Sequence, residues 1–281
     1  MDAMVRLAKR VEDLGYTRYW IAEHHNMRSI ASSATQLLIQ HTLANTKKIR
    51  VGSGGVMLPN HSPYLIAEQY GTLETLYPNR VDLGLGRAPG TDVPTAMALR
   101  RTKDLKTDFE RDLAELSGYF KGSNYVQAYP AHGLYLPFYI LGSSTDSAYL
   151  AAKLGLPYSF AAHFAPAMME NAIAIYNRYF QPSAILDKPY VILGVNAILA
   201  DTDEEAKRLS TTMIQSFLNI VTSNQKGLMP PLQSEEAVWR EFIATNKVPH
   251  FGPIAFEIDD LISHEKEIVE KMTKVSFIGS K

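Results

Sequence analysis

Strand-type and helix-type segments alternate along most of this chain. Short apolar runs rich in β-branched and aromatic residues recur, and a longer segment with helical spacing follows each of them. The predicted strands are residues 19–22, 48–58, 80–86, 138–143, 157–162 and 189–200. Parallel strands need a crossover connection, usually a helix, so the alternation predicts one parallel α/β domain. Two architectures fit: a closed (β/α)8 barrel or an open doubly wound sheet.

The predicted helices cover residues 2–14, 33–46, 63–77, 108–120, 145–155, 165–180 and 201–221. Gly15 predicts the end of the first helix and Ser33 the N-cap of the second. Residues 223–262 break the rhythm, because they are rich in proline and glycine around a helix that carries Trp239. Two interpretations stay open for this segment: a lid over a site, or a surface excursion without a functional role.

Charge and composition exclude several function classes. The chain has 281 residues, with 28 basic and 29 acidic side chains. This balance argues against nucleic acid or an anionic membrane as partner. The absence of cysteine excludes disulfides, zinc–thiolate sites and cysteine nucleophiles. No apolar run approaches the roughly 20 residues of a membrane span, and no signal peptide is visible, so we expect a cytoplasmic protein.

Polar side chains follow five successive predicted strands at the point where each strand ends. In parallel α/β folds the ligand binds at these carboxyl ends, so the regularity predicts one site there. The residues concerned are Glu23, His24, His25 and Asn26, then Ser53, Gly54 and Gly55 with Asn60 and His61, then Arg87, then Ser143, Ser144, Thr145 and Ser147, and finally His163.

Each of these groups also has an ordinary structural interpretation. A histidine at a strand end is more often a hydrogen-bonded surface residue than a catalyst. No H-E-x-x-H spacing is present, so the sequence predicts no metal site. The "GSGG" run (52–55) lacks the spacing of a P-loop, and its glycines favour close approach of a flat ligand to the backbone. The serines at 143–147 indicate either a phosphate site at a helix N-terminus or simple capping. Arg87 would neutralise such a phosphate or pair with Asp92.

Several longer stretches resemble the bacterial luciferase-like flavin monooxygenases, in particular the branch that carries R-A-P-G-T-D. They are "WIAEHHN", "VGSGGVMLPNHSP", "VDLGLGRAPGTD" and "ILGSSTDSAYLAAKLGLPYSF". The resemblance implies a single (β/α)8 TIM barrel over residues 1–281, with 223–262 as its insertion, and a homodimer. It also implies a first strand before Asp2 and a last strand–helix segment after Lys281, neither of which is in this sequence. Either the chain is a fragment or its natural ends lie outside it.

The resemblance assigns roles to individual positions. His24 matches a catalytic histidine that acts on the flavin–oxygen chemistry. Gly54 and Gly55 match a pair joined by a cis peptide bond behind the flavin ring. Gly86 stands where luciferase has a reactive cysteine. The remaining positions are cofactor-binding: Arg87 holds the flavin phosphate, Ser143 replaces a glutamate of luciferase, and Ser144 and Ser147 lie near the phosphate.

The function implied is a two-component monooxygenase. Reduced FMN, delivered by a separate flavin reductase, would react with molecular oxygen, and one oxygen atom would enter a small organic substrate. An apolar pocket, a phosphate anchor and a base with a pKa near neutrality are the physical requirements. Two alternatives remain: an F420-dependent oxidoreductase that transfers hydride, and a flavin-binding protein without catalytic activity.

Overall fold

The computed structural model describes residues 1–100, 106–221 and 227–245. The chain divides into two compact units, one of Met1–Gly194 and a second that begins at Val195. The first unit contains the whole sheet. The single barrel domain therefore stays a prediction, and residues 222–226 and 246–262 of the predicted lid lie outside the described residues.

The first unit is a parallel α/β fold, as the alternation predicts. Six parallel strands pair in their sequential order, β1 to β6, with a helical connection between successive strands. The strands are β1 Arg18–Ile21, β2 Arg50–Met57, β3 Val81–Gly86, β4 Phe138–Gly142, β5 Tyr158–Phe160 and β6 Val191–Leu193. Sequential parallel order is the arrangement of an α/β barrel wall and not that of a doubly wound sheet, in which the order reverses.

Seven helices of the first unit accompany these strands. They are α1 Asp2–Asp13, α2 Thr35–Asn45, α3 Pro63–Leu76, α4 Val93–Arg100, α5 Phe109–Lys121, α6 Thr145–Leu154 and α7 Met169–Tyr179. A 3₁₀ turn, Leu58–Asn60, directly follows β2. Left-handed glycines end α5 and α6, at Gly122 and Gly155, where a residue with a Cβ would be strained.

One face of the sheet forms the apolar core with the helices. Its strand residues are fully buried, among them Val51, Leu83, Ile140 and Tyr158. Helices α2, α3, α5, α6 and α7 supply the opposing side chains of the same cluster. Burial of each such side chain contributes about 1.5–3 kcal/mol, so this cluster supplies much of the stability of the unit.

The opposite face is polar at the amino-terminal ends of the strands. The fully buried carboxylate of Asp82 lies 2.7 Å from Nε of Arg50 and 3.0 Å from Nε of Arg18. Trp20 Nε1 donates a third contact, at 3.0 Å. A buried carboxylate is tolerated only when it is paired and hydrogen-bonded, and through these contacts Asp82 joins the amino-terminal halves of β1, β2 and β3.

The structure corrects four sequence predictions. The last strand is Val191–Leu193 and not 189–200, because its partner β5 has only three residues and the pairing ends with them. Helix α4 lies in a segment for which the sequence predicted neither a helix nor a strand. The N-cap of α2 is Ala34 and not Ser33. Arg87 pairs with Asp146 and not with Asp92, the partner that the sequence suggested as the alternative to a phosphate.

The second unit, as far as it is described, contains two helices. Helix α8 spans Asp203–Val221 and α9 spans Glu235–Thr245. Thr211, which is fully buried on α8, exchanges hydrogen bonds with both backbone groups of Leu232. In the described parts of both units, no helix is long and apolar enough to cross a membrane.

Candidate functional site

The carboxyl ends of the strands bring the predicted residues to one edge of the sheet. The segments after β1, β2, β3, β4 and β5 carry His24, His61, Arg87, Ser144 and His163 respectively. All six strands run parallel, so these segments share one edge. Side-chain contacts join the segments after β1, β2 and β3 to one another, and the segment after β3 to the one after β4.

Glu23 is the centre of a hydrogen-bonded cluster at this edge. Its Oε1 accepts a hydrogen bond from Nε2 of His25 at 2.9 Å and another from Nε2 of His61 at 2.7 Å. Its Oε2 accepts the backbone N–H of Met57 at 3.3 Å. The Glu23 side chain is fully buried. Burial raises the pKa of its carboxyl, but the bonds and charge of the two histidines lower it further, so the net shift of the pKa is downward.

The segment after β1 is bound along its length to the R-A-P-G-T-D loop, residues 87–92. His24 Nδ1 lies 3.4 Å from the carbonyl oxygen of Gly90. Thr91 Oγ1 donates to the carbonyl of His25 at 3.2 Å, and Asn26 Nδ2 donates to Asp92 Oδ2 at 2.8 Å. These three contacts fix the backbone and side chain of the histidine pair against the end of β3.

A third segment joins the same loop. Asn60 Nδ2 in the turn after β2 donates to the carbonyl of Pro89 at 2.6 Å. Gly90 itself has a left-handed backbone, and a Cβ there would lie 3.1 Å from Met57 and 3.3 Å from the carbonyl of Glu23. The loop therefore packs closely on β1 and β2, and glycine is required at its centre.

Glycines line the polar face of β2 and β3 next to this cluster. Gly52, Gly54, Gly84 and Gly86 alternate along the two strands, and neighbouring backbone approaches them so closely that a Cβ at Gly52 or Gly84 would lie 2.2 Å from a carbonyl oxygen. The Gly54–Gly55 peptide bond is cis, which confirms that part of the prediction. Side chains also lie against this face: Trp20 is next to Gly54, Leu141 next to Gly55 and Gly84, and Met57 next to Gly86, so the glycines let these groups pack closely on the strands.

The predicted phosphate site lies where β4 leads into α6. Arg87 NH2 is 3.2 Å from Asp146 Oδ2 in the first turn of α6, and the side chains of this pair are 54% and 68% exposed. Ser144 occupies the N-cap but makes no capping bond through its side chain. First-turn N–H groups together with an accessible guanidinium are the donors that an anion needs.

Ser147 is placed differently from Ser143 and Ser144. Its hydroxyl is buried, donates to the carbonyl of Ser144 at 2.8 Å and lies 3.1 Å from the hydroxyl of Tyr158. Burial raises the pKa of Tyr158, and its bond with Ser147 offsets part of that rise. Ser147 thus fixes the loop that carries the other two serines.

The sequence predicts Glu23, His25 and His61 at this edge but not their bonding to one another. His25 and His61 come from the ends of two different strands, so no helical spacing such as H-E-x-x-H indicates them as ligands of one metal. In the described residues, Glu23 Oε1 and the two Nε2 atoms all lie within 4.8 Å of one another, as in a possible metal site. The signal was present in the motif that follows β2, since "PNHSP" places a histidine at the same edge.

Comparison with known proteins identifies the family of this chain and agrees with its fold. Residues 1–252 match the family model described as luciferase-like monooxygenase. A luciferase-like monooxygenase of Escherichia coli (strain K12) is 51% identical over 237 residues, which cover 83% of this chain and 71% of the relative. The N-acetyl-S-alkylcysteine monooxygenase of Bacillus subtilis (strain 168) is 41% identical over 282 residues, which cover 97% of this chain and 82% of the relative. The chain belongs to the luciferase-like monooxygenase family.

Solved structures extend the comparison. The crystal structure of apo-MsnO8 matches with a TM-score of 0.76 at 35% identity, over 85% of this chain and 71% of that chain. Two more distant structures share the fold. The oxygenating constituent of 3,6-diketocamphane monooxygenase from Pseudomonas putida, in complex with FMN, has a TM-score of 0.61 at 17% identity, covering 79% and 72%. An F420-dependent secondary alcohol dehydrogenase has a TM-score of 0.59 at 15% identity, covering 96% and 84%.

Proposed function

We propose that this protein is the oxygenase component of a two-component flavin-dependent monooxygenase. In this proposal it binds reduced FMN from a separate flavin reductase and oxygenates a small organic molecule. The observation that carries it is the placement of His24 and Arg87 at the carboxyl edge of the sheet, with His24 hydrogen-bonded to the loop after β3 and Arg87 exposed beside the first turn of α6. Membership of a monooxygenase family supplies the reaction class, and the named FMN complex of a protein with the same fold supports the choice of cofactor.

The residues present fit an FMN molecule in chemical terms. The exposed guanidinium of Arg87 and the N-terminus of α6 supply donors for a phosphate. Bound reduced FMN would supply the electrons that activate oxygen.

His24 would act as the proton acceptor and donor of the reaction. Its Nδ1 faces a carbonyl oxygen, that of Gly90, so the proton of the neutral ring belongs on Nδ1. Nε2 then carries the lone pair and can accept a proton at the site. Orientation of a base by a backbone carbonyl is a common arrangement for histidine, because the carbonyl selects the tautomer.

The reductase, the homodimer and the cofactor belong to the same proposal. The name "oxygenating constituent" of the diketocamphane enzyme supports a division of labour between an oxygenase and a reductase. The relative that acts on N-acetyl-S-alkylcysteine supports a small organic substrate. The F420-dependent neighbour supports the second candidate, hydride transfer with F420, because it shares the fold.

Cofactor titration tests the proposal. We expect the protein to bind FMN, and Arg87→Ala to weaken that binding about tenfold, as the loss of one charged hydrogen bond of about 1.5 kcal/mol would do. Riboflavin, which lacks the phosphate, should bind equally to both forms. In stopped-flow absorbance, His24→Ala should slow the oxygen-dependent reoxidation of bound reduced FMN about a hundredfold, while FMN affinity stays unchanged.

Arg111→Ala is the matched control for the binding arm, because Arg111 is an exposed arginine that also pairs with one aspartate, Asp112. Equal weakening by both substitutions would contradict the phosphate role of Arg87. Binding of F420 in preference to FMN, with hydride transfer to a carbonyl compound, would replace the proposal by its alternative. FMN binding with an unaltered reoxidation rate in His24→Ala would contradict the acid–base role of His24.

A further inference from the structure

One carboxylate oxygen serves two imidazole rings in the Glu23 cluster. Oε1 of Glu23 lies 2.9 Å from Nε2 of His25 and 2.7 Å from Nε2 of His61. An ionised carboxylate can only accept hydrogen bonds, so each ring must carry a proton on Nε2. Glu23 therefore selects the same protonated nitrogen on two histidines at once.

Water does not replace these contacts. The Glu23 side chain has no exposed surface, and the side chains of His25 and His61 are only 12% and 22% exposed. The second carboxylate oxygen is held by the N–H of Met57. The Glu23 charge also raises the pKa of the buried hydroxyl of Tyr70 on α3, whose rise is due mainly to burial. A buried acceptor with fixed donors on three sides has one stable orientation.

The cluster is connected through the chain to His24. Glu23 and His25 are its two neighbours, and both are fixed: Glu23 to the end of β2, and His25 by its carbonyl to Thr91. We propose that Glu23 is a positioning residue, which fixes the Nε2–H form of His25 and His61 and thereby holds the loop that carries His24. The functional consequence rests on the proposed function, but the protonation pattern does not.

NMR of the full chain with ¹⁵N-labelled histidine tests the first part without any cofactor. Eight histidines are present, and His25→Gln and His61→Gln identify the two signals. We expect both rings to be protonated on Nε2. In Glu23→Gln a neutral amide replaces the ionised oxygen that both rings share, so the Nε2–H signals of both rings should shift together or be lost.

Glu74→Gln is the matched control, since Glu74 is another buried glutamate of the same unit and bonds to the N–H of Asn79. It should leave both histidine signals unchanged. Histidine signals that are the same in Glu23→Gln and the wild type would overturn the inference, whatever the result with flavin. Zn²⁺ titration that removes both Nε2–H signals at micromolar concentration would also overturn it, because the three groups would then be metal ligands.

A double-substitution cycle tests the link to His24. We expect Glu23→Gln to slow the reoxidation of bound reduced FMN about ten- to a hundredfold, because the base is misplaced. In the His24→Ala background the same change should have less than a twofold effect, since residues that act through one another are not additive. Additive effects would contradict the positioning role. Failure of the protein to bind FMN would contradict only the proposed function and would leave the NMR result standing.

Discussion

Gly84 and Gly86 lie on the same face of β3, yet they have different neighbours. A Cβ at Gly84 would lie 2.2 Å from the carbonyl oxygen of Ser53, which is backbone and cannot move aside. A Cβ at Gly86 would lie 3.2 Å from the sulfur of Met57, which is the end of a flexible side chain. Glycine is therefore required at position 84, whereas position 86 can accept a small side chain.

We predict that Gly84→Ala lowers the free energy of unfolding by about 1–3 kcal/mol, the usual cost of overpacking, and that Gly86→Ala costs less than about 1 kcal/mol. Urea denaturation of both variants measures the difference. Equal costs would show that β2 and β3 can separate at Gly84, and the close contact between the two strands would then not require glycine.

At the scale of single residues, the sequence predicted which residues lie at the carboxyl edge of the sheet better than it predicted which of them bond to one another. The motif after β1 placed His24 at this edge, and the serines before α6 indicated the N-terminus of that helix. The pairing of Arg87 with Asp146 and of His61 with Glu23 depends on the distance between strands that are remote in sequence. No local pattern contains that distance.

At the scale of elements, α1 is fixed to the connection between α2 and β2 by one carboxylate. Glu12 near the end of α1 accepts backbone hydrogen bonds from the N–H groups of Lys47, Lys48 and Ile49, at 2.6–2.9 Å. Burial raises the pKa of Glu12, but the three N–H bonds lower it further, so it lies below its ordinary value of 4.5.

Removal of this contact should destabilise the fold in a pH-dependent manner. We predict that Glu12→Ala lowers the free energy of unfolding by about 1–3 kcal/mol at pH 7, because three N–H groups lose their acceptor. The folded pKa is below the unfolded one, so the contribution is present above pH 4.5 and is lost as the pH falls through the folded pKa. Urea denaturation from pH 7 to pH 3 measures both effects.

The adjacent Asp13→Ala provides the control, because Asp13 is exposed at the end of the same helix. It should change the free energy of unfolding by less than about 0.5 kcal/mol. A difference between the wild type and Glu12→Ala that persists unchanged at pH 3 would show that packing, and not the charge, fixes the connection.

Elements with a strong local signal were predicted and those with a weak one were not. The apolar runs of β3 and β4 gave their strands within a residue. Helix α4 was missed, although Asp92 caps it through the N–H of Thr95 and Pro94 lies in its first turn. The extent of β6 was overestimated, because its length follows the three residues of its partner β5 and not its own composition.

At the scale of the whole first unit, protection should decrease from the centre of the sheet towards β6. All six residues of β3 are buried between two partner strands, whereas the three residues of β6 are half-buried and pair with β5 alone among the described strands. We predict that amides of β3 exchange with solvent at least a hundredfold more slowly than those of β6, because local opening of an edge costs less. Hydrogen exchange with mass spectrometry measures this, and equal rates would mean that β6 is covered on its open side.

The hydrogen bonds between residues 23–26 and residues 87–92 have a consequence for protein engineering. Each loop supplies the donors that the other needs, so a loop taken alone from a relative would arrive without its counterpart. A chimaera made by grafting the R-A-P-G-T-D segment should therefore carry the E-H-H-N segment and Asn60 from the same donor. In this fold, the smallest unit that evolution or a designer can exchange is the two loops together with Asn60, and not either loop alone.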